Sequence, residues 1–136
     1  MKRQASYRLK VTRREMLYVG DEFDRTLMLI EMEGLPIKYD VGVAGEFVSR
    51  RSVGFHDRTQ GSGPMQGYAI TTFQKGAVYN RYEGKRDAQT KITSGTWKTY
   101  QGTGELANIK GQGSFTVKPG ESKQEFILEI AGDYEL

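Results

Sequence analysis

The stretch Ser94-Gly-Thr-Trp-Lys-Thr-Tyr-Gln-Gly-Thr-Gly-Glu-Leu-Ala-Asn-Ile-Lys-Gly-Gln-Gly-Ser-Phe115 sets Gly95, Gly102, Gly104, Gly111 and Gly113 at steps of 7, 2, 7 and 2. Two strands of a tightly curved antiparallel sheet have this look. Glycine removes a side chain where backbones crowd or bend, and glycines repeated beside Trp, Tyr or Phe mark corners of closed sheets. Just upstream, Gly67-Tyr-Ala-Ile-Thr-Thr-Phe73 and Ala77-Val-Tyr-Asn-Arg-Tyr-Glu-Gly84 are joined by Gln74-Lys-Gly76, a tight connection that favours a glycine with positive φ. That pair is the clearest hairpin in the chain.

Outward from there, alternation with turn chemistry recurs, and no long stretch repeats apolar residues at the helical interval. Tyr7, Leu9 and Val11 alternate with Arg8, Lys10 and Thr12, which predicts a strand over Ser6 to Arg14, continuing through a bulge to Val19. After the turn Gly20-Asp-Glu-Phe-Asp24 comes a strand from Thr26 to Glu33, with Leu27 and Leu29 on one face and Met28, Ile30 and Met32 on the other. Two apolar faces imply two covered faces: a lumen inside, and a loop, helix or second subunit outside. Gly34-Leu-Pro36 reads as a turn, Val41 to Val53 as a long strand, and Gly54 to Arg58 as its continuation or a short strand. Lys85 to Thr90 reads as a polar loop, Lys91 to Gln101 as a strand, and Gly102 to Ile109 as a compact connection holding one helical turn at Glu105 to Asn108. Gly111 to Lys118 and Lys123 to Glu135 finish the sheet. The expected fold is all-β: one closed antiparallel barrel of eight or nine strands spanning residues 1–136, its interior wide enough for side chains or one small ligand.

Composition agrees. Gly is 17 of 136 residues and Pro only 3, a sheet-forming excess rather than a linker mixture, and Tyr 8 with Phe 6 suits a pleated, half-buried surface. The net charge of +3 is local: residues 1–14 hold six bases and no acid, leaving 14 bases against 17 acids elsewhere. A basic segment of that size reads as a solvated strand face rather than a nucleic-acid surface, which is usually wider. With no Cys, disulfides, thiolate catalysis and sulfur metal sites are excluded. No apolar run is long enough to span a bilayer, and Met-Lys-Arg-Gln-Ala-Ser lacks a signal peptide's hydrophobic stretch. The sequence as given reads as cytoplasmic, or as periplasmic or secreted if a leader precedes it.

The run from Gly67 to Phe73, then Tyr82-Glu-Gly84, Gly95-Thr-Trp97, Gly102-Thr-Gly104, Leu106, Ile109-Lys-Gly111 and Gly113, resembles the allene oxide cyclase-like barrel superfamily, within it small bacterial members. The resemblance, densest from Gly67 to Phe115, implies an eight-stranded barrel with an apolar lumen, commonly in an oligomer. Plant cyclases, dirigent-like proteins and bacterial ring-closing barrels of that group act without metal or organic cofactor, by holding a flexible substrate in one folded shape. Only the glycines and their aromatic neighbours carry over; the acids of those enzymes have no counterpart position here.

Several motifs yield to plainer readings. Gly102-Thr-Gly-Glu-Leu-Ala107 satisfies the dinucleotide fingerprint, but a new strand at Gly111 leaves no room for the required helix, so it reads as a barrel corner. Asp21, Glu22 and Asp24 lack the spacing of a calcium loop. His56 is the only histidine, which removes multi-imidazole metal sites and leaves a nucleophilic triad only if Ser52 or a distant serine converges on it. Facing inward, it would be the side chain suited to proton exchange near neutrality. Glu46, Arg50, Tyr68, Tyr79, Arg81 and Trp97 lie within predicted strands, and with His56 they form the candidate ligand-binding set. The leading expectation is a barrel holding a small apolar or amphipathic molecule in its lumen, with no cofactor and no nucleic-acid partner. The alternatives are a cofactor-free cyclase or isomerase and an oligomeric interaction module.

Overall fold

The computed structural model describes residues 2–39 and 41–136. In chain order the strands are β1 (Lys2–Tyr18), β2 (Arg25–Tyr39), β3 (Phe47–Thr59), β4 (Gly63–Phe73), β5 (Gly76–Asp87), β6 (Ile92–Gly102), β7 (Lys110–Pro119) and β8 (Glu125–Glu135), with one 3-10 turn at Gly104–Leu106. Each strand pairs antiparallel with its neighbour in sequence, and β8 returns to β1, so the described residues close into an eight-stranded barrel. The expected all-β architecture is the one that forms. The basic N-terminal segment lies in β1, with Tyr7 and Leu9 buried between exposed Arg8 and Lys10.

Following cross-strand partners round the wall from Arg3 leads through Gly132, Gly113, Trp97, Tyr82, Gly67, Gly54 and Ile30 back to β1 at Arg14. The circuit returns not to its start but eleven residues further along β1, one of which is taken up by the register shift between Val11 and Arg13. That stagger is what tilted strands require to close a barrel. Four of the positions on the circuit are glycines, and two aromatic side chains occupy the space they leave. A Cβ on Gly54 would stand 2.7 Å from the Tyr82 hydroxyl, and one on Gly132 would stand 2.5 Å from Trp97 Cζ2. Glycine and ring are one device for filling a curved interior.

Tyr7, Leu9, Met65, Trp97, Phe115 and Leu128 form the larger buried cluster. Ala44, Val78, Leu106 and Ile109 form a second at the barrel end where β6 turns into β7.

Three local expectations are corrected. Gly34-Leu-Pro36 is not a turn but part of β2. Gly34 is buried, with Arg50 Cδ and Leu9 Cδ2 each 3.2 Å from where a Cβ would be. Pro36 sits opposite Tyr7 beside the register shift between Ser6 and Tyr7, where a missing N–H is tolerated. Residues 41–46 are not strand: Gly42 and Gly45 bridge a tight turn in which Gly45 takes φ +82°, and β3 begins only at Phe47. β5 runs on through Lys85 to Asp87, paired with β6. The Gly102–Ala107 motif is a corner, its 3-10 turn followed after three residues by β7.

Candidate functional site

Alternation along β3 sends Arg50, Ser52, Gly54 and His56 inward, all four buried, with Arg58 half-buried at the strand's end. A strand that threads arginine, serine, histidine and arginine through a barrel interior is unusual, because charged side chains are almost never fully buried unless paired.

Arg50 is 8% exposed and forms no ion pair with any described residue. Its guanidinium carbon lies 5.5 Å from the centre of the Tyr7 ring. Burial pulls the Arg50 pKa down, and the phenols of Tyr7, Tyr82 and Tyr134 oppose that pull. The same burial pushes the Tyr7 hydroxyl up to about 12 despite the neighbouring cation, so the phenol stays protonated and neutral at neutral pH. Around this centre the polar groups satisfy one another. Ser52 meets the Tyr82 hydroxyl and Asn80 meets that of Tyr134, while Thr99 Oγ1 donates to Asn80 Oδ1 at 2.6 Å. A guanidinium held by one ring face and several phenols, with no carboxylate among the described residues, is a positive centre with spare donors.

Next to it lies a cavity of about 70 Å³ whose walls include Tyr7, Tyr39, Phe73, Val78, Ile130 and Tyr134, with Ala44 at the capped end. At roughly 30 Å³ per water this space holds about two solvent molecules. It is far below the roughly 300–1,000 Å³ of pockets for drug-sized ligands. Aromatic packing explains the tightness. Tyr39 stacks on Phe73 at 6.1 Å, Phe47 fits edge-on to both, and Trp97 lies 5.1 Å from Tyr134 with its Nε1–H donated to the Ser114 carbonyl.

His56 faces inward, but its chemistry differs from the neutral-pH exchange expected for it. Arg58 Nη2 lies 3.3 Å from His56 Nδ1. An arginine only donates, so Nδ1 accepts and the ring proton sits on Nε2. Burial, reinforced by the positive charges of Arg58, Arg86 and Arg14, drives the imidazole pKa down to about 3. His56 is a neutral acceptor, not a proton shuttle. Nor does it form a triad with Ser52. Four steps along the strand set the two about 13 Å apart at roughly 3.3 Å per residue, and Ser52 is engaged by Tyr82.

Of the seven residues singled out by sequence, the barrel brings Arg50, His56 and Trp97 into its interior. The other four are outside the lumen. Tyr68, Tyr79 and Arg81 stand on the outer wall, where both tyrosines meet Tyr100 edge-on and Arg81 lies 5.7 Å over the Tyr100 ring. Glu46 is exposed in the turn before β3. Sequence reasoning passed over Tyr82, Asn80, Thr99, Tyr134 and Arg58 as site residues. Parity along β3 carried the signal for Arg58, since an inward Arg50 or His56 entails an inward Arg58. The glycines facing Tyr82 and Trp97 carried it for the rings.

No protein-family model matches this chain, and no curated protein matches it in sequence. Among solved structures it is similar to one titled pyocyanin demethylase, with a TM-score of 0.56, 15% sequence identity, and coverage of 96% of this chain and 99% of that one. At that identity the likeness is one of fold: both are barrels of this type over nearly their whole length.

Proposed function

We propose that the barrel binds a small molecule at the lumen centre, presenting an anionic or strongly hydrogen-bond-accepting head to Arg50 and the phenols of Tyr7 and Tyr134, and a small apolar body to the cavity beside them. The observation that carries this reading is the buried Arg50, which has no counter-ion among the described residues. A lone cation in a protein interior costs several kcal/mol, and a stable fold would do as well with Met or Leu there. A ligand that supplies the missing charge supplies the reason for keeping it.

The cavity's size favours binding over cyclisation, because about 70 Å³ cannot enclose a folded polyene. The resemblance to the allene oxide cyclase-like group, and a structural neighbour named for an action on pyocyanin, are in keeping with a barrel that handles small molecules.

Trp97 is the chain's only tryptophan and lies in the same core cluster as Tyr7, so its emission reports on the lumen. A series of monocarboxylates from formate to benzoate should give a saturable change in that emission for at least one member, lost in Arg50→Met. The reading fails if no member of the series gives saturation, or if Arg50→Met responds as the parent does.

A further inference from the structure

The unpaired positive charge does not end at Arg50. Where β3 reaches the opposite end of the barrel, Arg58 and His56 project inward from β3, Arg86 from β5 and Arg14 from β1. These are also the charges that act on one another: Arg86 and Arg14 bear on Arg58, and all three arginines bear on His56. Among the described residues no carboxylate contributes at either residue. Three of the acids at this rim are engaged by other groups. Asp57 and Asp21 pair with Arg25 at 2.9 and 2.7 Å, and Glu22 reaches the Thr59 hydroxyl at 3.5 Å.

Arg58 Nε is buried and has no hydrogen-bond partner among the described residues. A buried guanidinium N–H left unmade is costly, and such groups in native proteins call for an explanation. The neighbours do not provide one: Thr26, which pairs with Arg58 across β2, leaves the Nε without a partner, the buried Met28 and Met65 one pair further in, opposite His56, are apolar, and Arg86 already gives one N–H to the Gly61 carbonyl. Three cations, one of them the Arg58 guanidinium whose buried Nε–H lacks an acceptor, thus converge on a mouth where the described acids Asp21, Asp57 and Glu22 are engaged by Arg25 and Thr59.

We infer that this mouth, framed by Arg14, Arg58 and Arg86, is a binding site for an oxyanion, separate from the lumen centre at Arg50. Planar guanidinium groups match the paired oxygens of carboxylate, phosphate or sulfate, and an anion there would both satisfy Arg58 Nε and offset the mutual repulsion of the three arginines. The shared chemistry is the oxygen pair; whether it comes as a free inorganic ion or as the acidic end of an organic molecule is for the experiment to separate.

Because His56 is the only histidine, its ring Hε1 proton gives one unobscured NMR signal beside the proposed site. Inorganic phosphate and acetate are titrated separately at constant ionic strength with chloride as the balancing ion, at pH 7. Saturation of the His56 shift by either oxyanion is the expected result. Phosphate alone would indicate a tetrahedral ion, and acetate as well would indicate a carboxylate-bearing ligand. Arg86→Gln should weaken the saturating anion at least tenfold, and Arg14→Gln, an exposed position that leaves folding intact, should weaken it about threefold or more. Arg81→Gln on the outer wall removes the same formal charge and should leave the titration unchanged. The inference is overturned if neither oxyanion saturates beyond the chloride baseline, or if Arg81→Gln weakens binding as much as Arg86→Gln does, since the effect would then be one of net charge. Trp97 emission reads the lumen centre independently, so failure at one site does not imply failure at the other.

Discussion

The two ends of the barrel are built on opposite terms. At one end, Leu106 on the 3-10 turn is completely enclosed with Val78, Ile109 and Ala44, and the turns before β3 and after β6 are sewn to the hairpin of β4 and β5 through backbone bonds such as Lys75 N–H to the Ala44 carbonyl and Glu105 N–H to the Lys75 carbonyl. At the other, His56, Arg58, Arg86 and Arg14 stand together with no ion pair to any described carboxylate, and the buried Arg58 Nε–H lacks an acceptor. The first end closes the barrel by burying apolar surface, a gain that needs no partner. The second carries a cost that burial alone does not repay. The contrast shows where stability is generated in this fold and where it is spent.

Truncation at the plugged end should have the largest effect. Leu106→Ala empties an enclosed site and is expected to lower the unfolding free energy by about 3–5 kcal/mol, read by urea denaturation. The matching change at the mouth, Arg58→Met, should be neutral or stabilising in the same measurement. A comparable loss in both would erase the distinction between the ends.

Acid sharpens it next. The unfolded chain takes up a proton on His56 near pH 6.5, whereas the folded one does so only near 3. Stability tied to His56 is therefore complete above 6.5 and is lost as pH falls from 6.5 towards 3. Comparing the stability of the parent with that of His56→Gln across this window should show the parent losing roughly 2–3 kcal/mol more between pH 6.5 and 4. Carboxylates such as Glu31 and Asp57, held low by Thr12 and Arg25 respectively, contribute equally to both proteins.

Between the ends lies Arg50. Its replacement by Met should raise the unfolding free energy by about 1–2 kcal/mol by removing an uncompensated buried charge, while abolishing the Trp97 response described above. A net loss of stability would mean that the contact with the Tyr7 ring outweighs desolvation. The smallest effect is expected at Thr103, whose Oγ1 accepts the Ala77 N–H at 2.9 Å where the plug meets β5. Thr103→Ala should cost about 1 kcal/mol.

The barrel was legible because its signals are local. Alternation along Tyr7 to Val11 and along β4 and β5, the glycine at 76, and the glycines beside Trp97 and Phe115 each depend on backbone geometry over a few residues. The plug was partly legible: a helical turn near Glu105 is implied by the short span between two glycine corners, but the turn at 41–46 was hidden because Val41 to Val53 alternates well enough to pass for strand. Gly34-Leu-Pro36 misled in the other direction, since Gly and Pro mark turns unless a bulge accommodates the proline and a neighbouring side chain uses the space over the glycine.

The sequence by itself determined that strands would alternate, that they would curve at the glycines, and that aromatic rings would accompany those curves, because these depend on the pleat and on steric room. Only the tertiary structure decided which face was which. Arg50, His56 and Trp97 turned inward while Tyr68, Tyr79 and Arg81 turned outward, since register shifts and the stagger round the wall set the parity of every strand. It also brought Arg14, Arg58 and Arg86 from three strands to one mouth, through a closure that no single strand encodes.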